Sequence, residues 1–225
     1  MRHGPGILGH VEPGQLPRAI LFDAGGTLLL QDPVEMSRLL DTRIDPTAAH
    51  RAHYHAMAEY SDLRIQGSEL GWDWWLERYF TLLEIPEPHL AGQRIKRGYG
   101  LWNHPLDGVA EAVSELRRRG VRIAVVSNSD GSVTGSLAEA GLADEFEFVI
   151  DSHLAGVSKP DPAIFEAALD RLGMDPEDAW YVGDSVFHDI NGARAASLAR
   201  AFLVDPYELG PEDVSKVTSV ADLVA

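Results

Sequence analysis

From residue 121 onward, short apolar runs alternate with amphipathic stretches of helical period, and no other feature of the chain constrains its fold so tightly. The β-runs are 121–126, 147–150, 179–182 and 200–204, and the helical stretches between them are 129–141, 161–173 and 189–197. Strand and helix in strict succession imply a parallel sheet with right-handed crossovers. One earlier apolar run, Ala19-Ile20-Leu21-Phe22, reads as a strand covered on both faces. The expected fold is α/β, a doubly wound parallel sheet with an all-helical insertion between its first strand and the rest.

The insertion spans residues 34–103, after a short turn or flap at 28–33. Asp45 caps a helix whose first position is Pro46, and Ala49, Ala52, Ala56, Tyr60 and Leu63 recur behind it at helical spacing. Trp72, Trp75 and Tyr79 do the same; Pro86 and Pro88 interrupt the pattern, and 90–99 resumes it. A chain of 225 residues can hold one large domain or a core with such an insertion. The expected division is therefore a loose leader 1–17, a core of 18–33 and 104–225, and the insertion 34–103. The leader has no apolar core of the signal-peptide kind, and no run is long and apolar enough to cross a bilayer. Cysteine is absent, which removes disulfides and thiolate metal sites. These features fit a cytoplasmic protein without a membrane partner.

Four β-runs end in residues that carry chemistry. Parallel strands point their carboxyl ends at a common ligand crevice. Asp23 ends the first run, and Ala24-Gly25-Gly26-Thr27 follow it. A carboxylate there can act as a nucleophile or ligate a metal, although an aspartate that merely caps a turn fits this segment alone equally well. Ser127-Asn128 ends the second run with a hydroxyl and amides at a helix start, an arrangement suited to an oxyanion. Lys159 stands just before a helix, within Ser158-Lys159-Pro160-Asp161-Pro162. Gly183-Asp184, followed by Asp189, ends the fourth run. Asp23, Asp184 and Asp189 together can hold one hard dication with waters and a phosphate oxygen, as Mg²⁺ is usually bound. Ser127 and Lys159 would grip the remaining oxygens.

The charge balance narrows the partners. Nineteen Lys and Arg against 35 Asp and Glu give −16, and only three of the cations are lysines: Lys96, Lys159 and Lys216. Such a field repels nucleic acid. An anion site in this chain must be built locally, from a metal, a few cations and helix N-termini.

These segments resemble the motifs of the haloacid dehalogenase-like hydrolases. The first motif is similar to Asp23-Ala24-Gly25-Gly26-Thr27, the second to Ser127-Asn128, the third to Lys159-Pro160-Asp161-Pro162, and the fourth to Gly183-Asp184 with Asp189. The resemblance covers residues 18–225. It implies a Rossmann-like core with a helical cap, with Asp23, Ser127 and Lys159 as catalytic residues and Asp23 the nucleophile. Ala24, Gly25, Ser127, Asn128 and Lys159 would contact phosphate. In the phosphatase branch it also implies Mg²⁺ held by Asp23, the Gly25 carbonyl, Asp184 and Asp189. The expected function is a Mg²⁺-dependent phosphatase-like hydrolase that acts on a small phosphorylated metabolite through an aspartyl-phosphate.

The chain departs from that pattern at one position. The phosphatase branch usually places a second aspartate two residues after the nucleophile, as general acid and base, and here that residue is Gly25. Dehalogenases lack it too, since a halide leaves without a proton, but they lack the fourth-motif Gly-Asp pair and do without Mg²⁺. The alternatives are thus a 2-haloacid dehalogenase, or a catalytically weak phosphate- or metabolite-binding protein. Paired acids at 184 and 189 are costly to keep together without a cation, so the phosphatase reading leads. Without an acid at residue 25, turnover should be slow and should favour aryl or acyl phosphates over alkyl phosphates. Gly25→Asp should restore rate if the turn tolerates a side chain.

Lesser candidates lie in and near the insertion. His50 and His53, at i and i+3 on one helix with His55, read as a solvated face rather than a metal pair. His188 is a candidate proton donor. Periodicity puts Trp72 and Trp75 in the insertion's own core and leaves Trp74 exposed at the seam. Lys96 is a candidate Schiff-base lysine of the phosphonatase type. Neither the substrate nor the oligomeric state follows from the residues.

Overall fold

The computed structural model describes residues 16–96 and 101–225. Strand β1 (Ala19–Phe22) is its centre, with all four residues fully buried. The chain then turns through residues 23–28 into β2 (Leu29–Leu30) and leaves the sheet for four helices. These are α1 (Pro33–Leu40), α2 (Pro46–Ile65), α3 (Trp72–Leu82) and α4 (Pro88–Lys96). It returns at β3 (His104–Pro105), which pairs antiparallel with β2 and so closes the insertion at its base. Then follow α5 (Val109–Arg118), β4 (Arg122–Ser127), α6 (Val133–Glu139), β5 (Val149–Asp151), the short α7 (Ser152–Ala155) and α8 (Pro162–Leu172). The last part holds β6 (Ala179–Gly183), a π-helical turn at Val186–Ile190, α9 (Asn191–Ala195), β7 (Arg200–Val204) and β8 (Ser215–Val217).

The sheet is a six-stranded parallel one in the order β5-β4-β1-β6-β7-β8. The chain runs outward from β1 on one side, through β4 to β5, then crosses back to build β6, β7 and β8 on the other. The carboxyl end of β1 is therefore the switch point, where open α/β sheets leave a crevice. Side chains alternate across the sheet as the pleat requires. Ile20, Phe22, Val125 and Val182 enter the apolar cluster that α5 and α6 cover, and Leu21, Val126 and Tyr181 enter the one under α8. This is the expected α/β doubly wound, Rossmann-like sheet.

Three helices begin at Asp-Pro pairs, and the same local chemistry starts each. Asp32, Asp45 and Asp161 accept backbone N–H bonds from the first turns of α1, α2 and α8, and proline occupies the position that needs no donor. The inserted helices form their own apolar cluster, with Met36, Ala52, Tyr60, Trp75 and Phe80 among its buried members. No described helix is long and apolar enough to cross a membrane.

Several boundaries differ from those the sequence suggests. Pro88 opens α4 instead of breaking it, since proline is tolerated in a first turn; the stretch 97–99 of that expected helix lies outside the described residues, as does 1–15 of the expected leader. Leu16 already packs against the core. Helix α6 starts at Val133, four residues later than expected, because residues 129–132 are held as a loop: Ser129 and Gly131 donate to Ser152 and Asp151, and Gly131 has φ +100°. The expected helix 189–197 splits into the π-turn and α9. Strand β8 carries no periodic signal, only Val217 of its three residues being buried.

Candidate active site

Strand register brings the site together. Phe22 aligns with Val125 of β4 and Val182 of β6, so Asp23, Ser127 and Asp184 all emerge at one edge. The Asp23 N–H bonds to the Val182 carbonyl, which fixes the aspartate one residue past the strand. Gly26 follows at φ +71°, and a Cβ there would lie 2.0 Å from Asp184 Oδ2 and 2.2 Å from His53 Nε2, so only glycine fits.

Lys159 is the hub. Its Nζ donates to Asp23 Oδ1 at 2.6 Å, Asp189 Oδ1 at 2.7 Å and the Tyr181 hydroxyl at 2.9 Å. The lysine is buried, and Asn128 holds its backbone in both directions: Nδ2 donates to the Lys159 carbonyl at 3.0 Å and Oδ1 accepts from the Lys159 N–H at 2.8 Å. Asp189 reaches the cluster because the π-turn carries it back over β6, where its Oδ2 accepts the Ser185 N–H at 2.9 Å. One carboxylate atom each from Asp23, Asp184 and Asp189 lies within 4.8 Å of the others. Ser127 and Ala24 line the same cleft, a cavity of about 460 Å³ between the sheet edge and the inserted helices, and so does Gly25.

Burial sets the protonation of these groups. It raises Asp23 to about 7; Lys159 pulls the value down, and the carboxylates of Asp189 and Asp184 push it up again. Asp184 is raised well above the usual carboxylate range by burial and by Asp189. Burial alone would lower Lys159, but Asp189 and Asp23 outweigh it and hold the ammonium charged. Three buried carboxyl groups thus face one buried cation. A site with three carboxyl groups to one cation, two of them raised by burial, fits a hard divalent cation that would take the place of their protons.

The inserted helices reach into the cleft with residues that carry no motif. His53 of α2 is 2% exposed, and its Nε2 lies 2.6 Å from Asp184 Oδ2. The expected solvated histidine face is therefore incorrect at His53. The alanines beside it face the insertion's core, and α2 lays this flank across the sheet edge. His50 is half-buried and bonds the Tyr207 hydroxyl through Nδ1 at 2.8 Å, so the two histidines do not converge on a metal. Burial lowers His53 to about 3.

The tryptophans also rearrange. Trp75 is fully buried, as expected, but Trp72 is 40% exposed and lines the cleft while Trp74 is half-buried, the reverse of the periodicity argument. Trp72 is the first residue of α3, and no preceding turn covers it. Trp102 also lines the cleft and stands over Gly25: a Cβ on that glycine would lie 3.0 Å from Trp102 Cζ3. His188 lines the cleft with its Nδ1 3.0 Å from the Lys159 carbonyl, and burial lowers it to about 4. Lys96 pairs with Asp73 on the surface and is not among the residues lining the cleft.

Comparison with known proteins agrees with this architecture. The family model of the haloacid dehalogenase-like hydrolases matches residues 17–197, and the chain belongs to that family. It is 32% identical over 215 residues to human haloacid dehalogenase-like hydrolase domain-containing protein 3, covering 86% of this chain and 84% of the relative. It is 30% identical over 191 residues to the glyceraldehyde 3-phosphate phosphatase of Methanopyrus kandleri, covering 80% and 81%. In structure it resembles the HAD hydrolase YfnB of Bacillus subtilis, solved with magnesium bound, at a TM-score of 0.68 and 19% identity over 93% of this chain and 97% of that one. The protein is a hydrolase of this family with phosphatases among its relatives.

Proposed function

We propose that the protein is a Mg²⁺-dependent phosphatase of a small phosphorylated metabolite, with Asp23 as nucleophile and the inserted helices of residues 34–103 as its cap. One observation carries this reading: a buried ammonium sits between the strand-end Asp23 and Asp189, beside a third acid, Asp184. A dehalogenase needs no such surplus of carboxylates, even though Gly25 would suit one. The phosphatase named among the relatives, similar over four-fifths of this chain, supports the same choice.

Asp23, the Gly25 carbonyl, Asp184 and Asp189 would hold the ion. A bound Mg²⁺ would supply positive charge to offset the negative charge on the transferring phosphoryl group. Ser127, the backbone amides of residues 24 and 25, and Lys159 would hold the phosphoryl oxygens, with Asn128 fixing the loop that carries Lys159. The Asp23 carboxylate attacks phosphorus, and the bond to the leaving oxygen breaks with its electron pair. Water then attacks the phosphorus of the aspartyl-phosphate, loses a proton to solvent, and frees Asp23 and inorganic phosphate. The Asp189 and Asp23 carboxyls hold the Lys159 ammonium charged in the free enzyme, and Asp189 remains its partner while Asp23 is esterified.

Residue 25 offers no acid for the leaving oxygen, so the rate falls on substrates that need one. Losing a positioned general acid costs about 10²–10⁴ in rate. Aryl and acyl phosphates should therefore be turned over well ahead of alkyl phosphates. The test is a panel of 4-nitrophenyl phosphate, acetyl phosphate, glycerol phosphate and 2-chloropropionate, each with Mg²⁺ and with EDTA. Phosphate release from the first two, abolished by EDTA and by Asp23→Asn, is the expected result. Chloride release that persists in EDTA would replace this function with dehalogenation.

A further inference from the structure

Two features of the cleft that were placed separately meet at residue 25. The second residue after the nucleophile is glycine, and the space above it is filled by the Trp102 indole, 3.0 Å from where a Cβ would stand. A leaving group at the phosphorus therefore meets an aromatic face where the family's acid would otherwise be. Trp72 extends that face. It stacks on Trp75 with ring centres 4.3 Å apart and planes 6° from parallel, and lies 6.2 Å from Trp102. Trp75 is itself locked against Tyr79 at 5.2 Å and 10°. An aromatic column along one helix holds Trp72 rigidly while 40% of its surface remains exposed.

We propose that the site takes phosphate monoesters of planar aromatic alcohols, with the Trp102 and Trp72 indoles as the surface that recognises the aryl leaving group. This rests on the phosphatase reading above and narrows it to one substrate class. An aryl oxide leaves without a proton far more readily than an alkoxide, so the missing acid and the aromatic wall select the same molecule. In the reaction the P–O(aryl) bond breaks with its electron pair, the aryloxide departs past Trp102, and solvent protonates it. Among the described residues lining the cleft, Lys159 is the one lysine and there is no arginine. Among these described residues a leaving group that carries its own carboxylate finds no second lysine or arginine, whereas a flat uncharged ring finds two indoles. Aromatic stacking contributes beyond simple area burial, and its loss corresponds to about 3- to 10-fold in affinity or specificity.

The test uses the full chain with Mg²⁺ and compares wild type with Trp102→Leu, Trp102→Phe and Trp72→Leu. The first readout is the ratio of kcat/KM for 4-nitrophenyl phosphate to that for acetyl phosphate, both of which have good leaving groups. Each leucine variant should lower that ratio about 3- to 10-fold, and Trp102→Phe should recover most of it. The second readout is equilibrium binding of benzylphosphonate against methylphosphonate, which needs no turnover. Wild type should prefer the benzyl compound, and the leucine variants should lose the preference. Turnover of both phosphates with an unchanged ratio, or equal affinity for the two phosphonates, would overturn the aromatic assignment and leave the phosphatase reading intact. Absence of turnover together with a preserved benzyl preference would do the opposite.

Discussion

His53 Nε2 lies 2.6 Å from Asp184 Oδ2, and this contact ties helix α2 of the insertion to the loop after β6. Both side chains are 2% exposed. Burial lowers the histidine and raises the carboxyl, so without a cation the shared proton rests on Asp184, whose O–H donates to the ring nitrogen. Edge contacts from Tyr54 and Trp75 hold the imidazole in place.

Truncating this histidine should be costly. His53→Ala leaves a buried carboxyl unpartnered and a cavity among three aromatic rings, for about 2–4 kcal/mol of lost stability. His55→Ala, on the next face of the same helix and half-buried, should cost less than about 1 kcal/mol. Urea denaturation of both variants checks this, and equal costs would return His53 to an ordinary helix face.

Gly25→Asp was expected from the sequence to restore an acid if the turn could take a side chain. The backbone permits it, since Gly25 is not among the positive-φ glycines, but a Cβ there would stand 3.0 Å from Trp102 Cζ3, so the indole has to shift to admit it. The single variant should fold less stably and gain little activity on glycerol phosphate. The double variant Gly25→Asp with Trp102→Ala opens the space, and its rate on glycerol phosphate should exceed the single variant's at least tenfold, a fraction of the range that general acid catalysis supplies. Equal rates for the two would show that the indole does not exclude a side chain at residue 25.

Lys159→Ala removes the buried cation between two carboxylates. The expected loss is about 3–5 kcal/mol at pH 8 in the absence of metal. The loss should shrink at pH 5, because Asp23, raised to about 7, is protonated there and no longer needs the partner. Lys96→Ala is the proper control, 42% exposed and paired with Asp73 at the surface. Lys216 is less suitable, since its ammonium donates to the Gly210 carbonyl at 2.6 Å. A loss that is the same at both pH values would contradict the coupling.

Much of the fold can be read in the residues because its causes are local. Four consecutive apolar residues mark β1 as a buried strand, and Asp32, Asp45 and Asp161 each cap a helix within three residues. Asp23, Ser127 and Asp184 announce themselves by standing at or just after strand ends, Lys159 by standing just before a helix, and Asp189 by following Gly183-Asp184. The other half of the site is assembled at a distance. His53 meets Asp184 across 131 residues of sequence, and Trp102 reaches Gly25 from the far end of the insertion. Tyr181 is one more apolar-patterned strand residue until β6 aims its hydroxyl at Lys159. The π-turn that swings Asp189 back onto Lys159 follows from a single extra residue per turn, which no periodicity marks.

Metal binding should depend on pH in a direction set by the same carboxyls. Asp23 and Asp184 are raised in the folded protein, so below about pH 7 a cation must displace the Asp23 proton before it can bind. The rise in Tm with millimolar Mg²⁺ should therefore be small at pH 5.5 and larger at pH 8. It should vanish in Asp184→Ala. A shift of the same size at both pH values, or one that survives Asp184→Ala, would remove Asp23 and Asp184 from the ion's ligands.

Trapping the intermediate tests the role of Asp23 most directly. The enzyme is mixed with excess 4-nitrophenyl phosphate and Mg²⁺, quenched in acid within a turnover, and digested for mass spectrometry. A phosphoryl group on the peptide that carries Asp23, absent from Asp23→Asn and from an EDTA control, is the predicted result. Because residue 25 provides no base for the second step, the adduct should accumulate rather than pass unseen. Steady release of 4-nitrophenol with no phosphoryl adduct on Asp23 at any quench time would contradict nucleophilic catalysis by this residue.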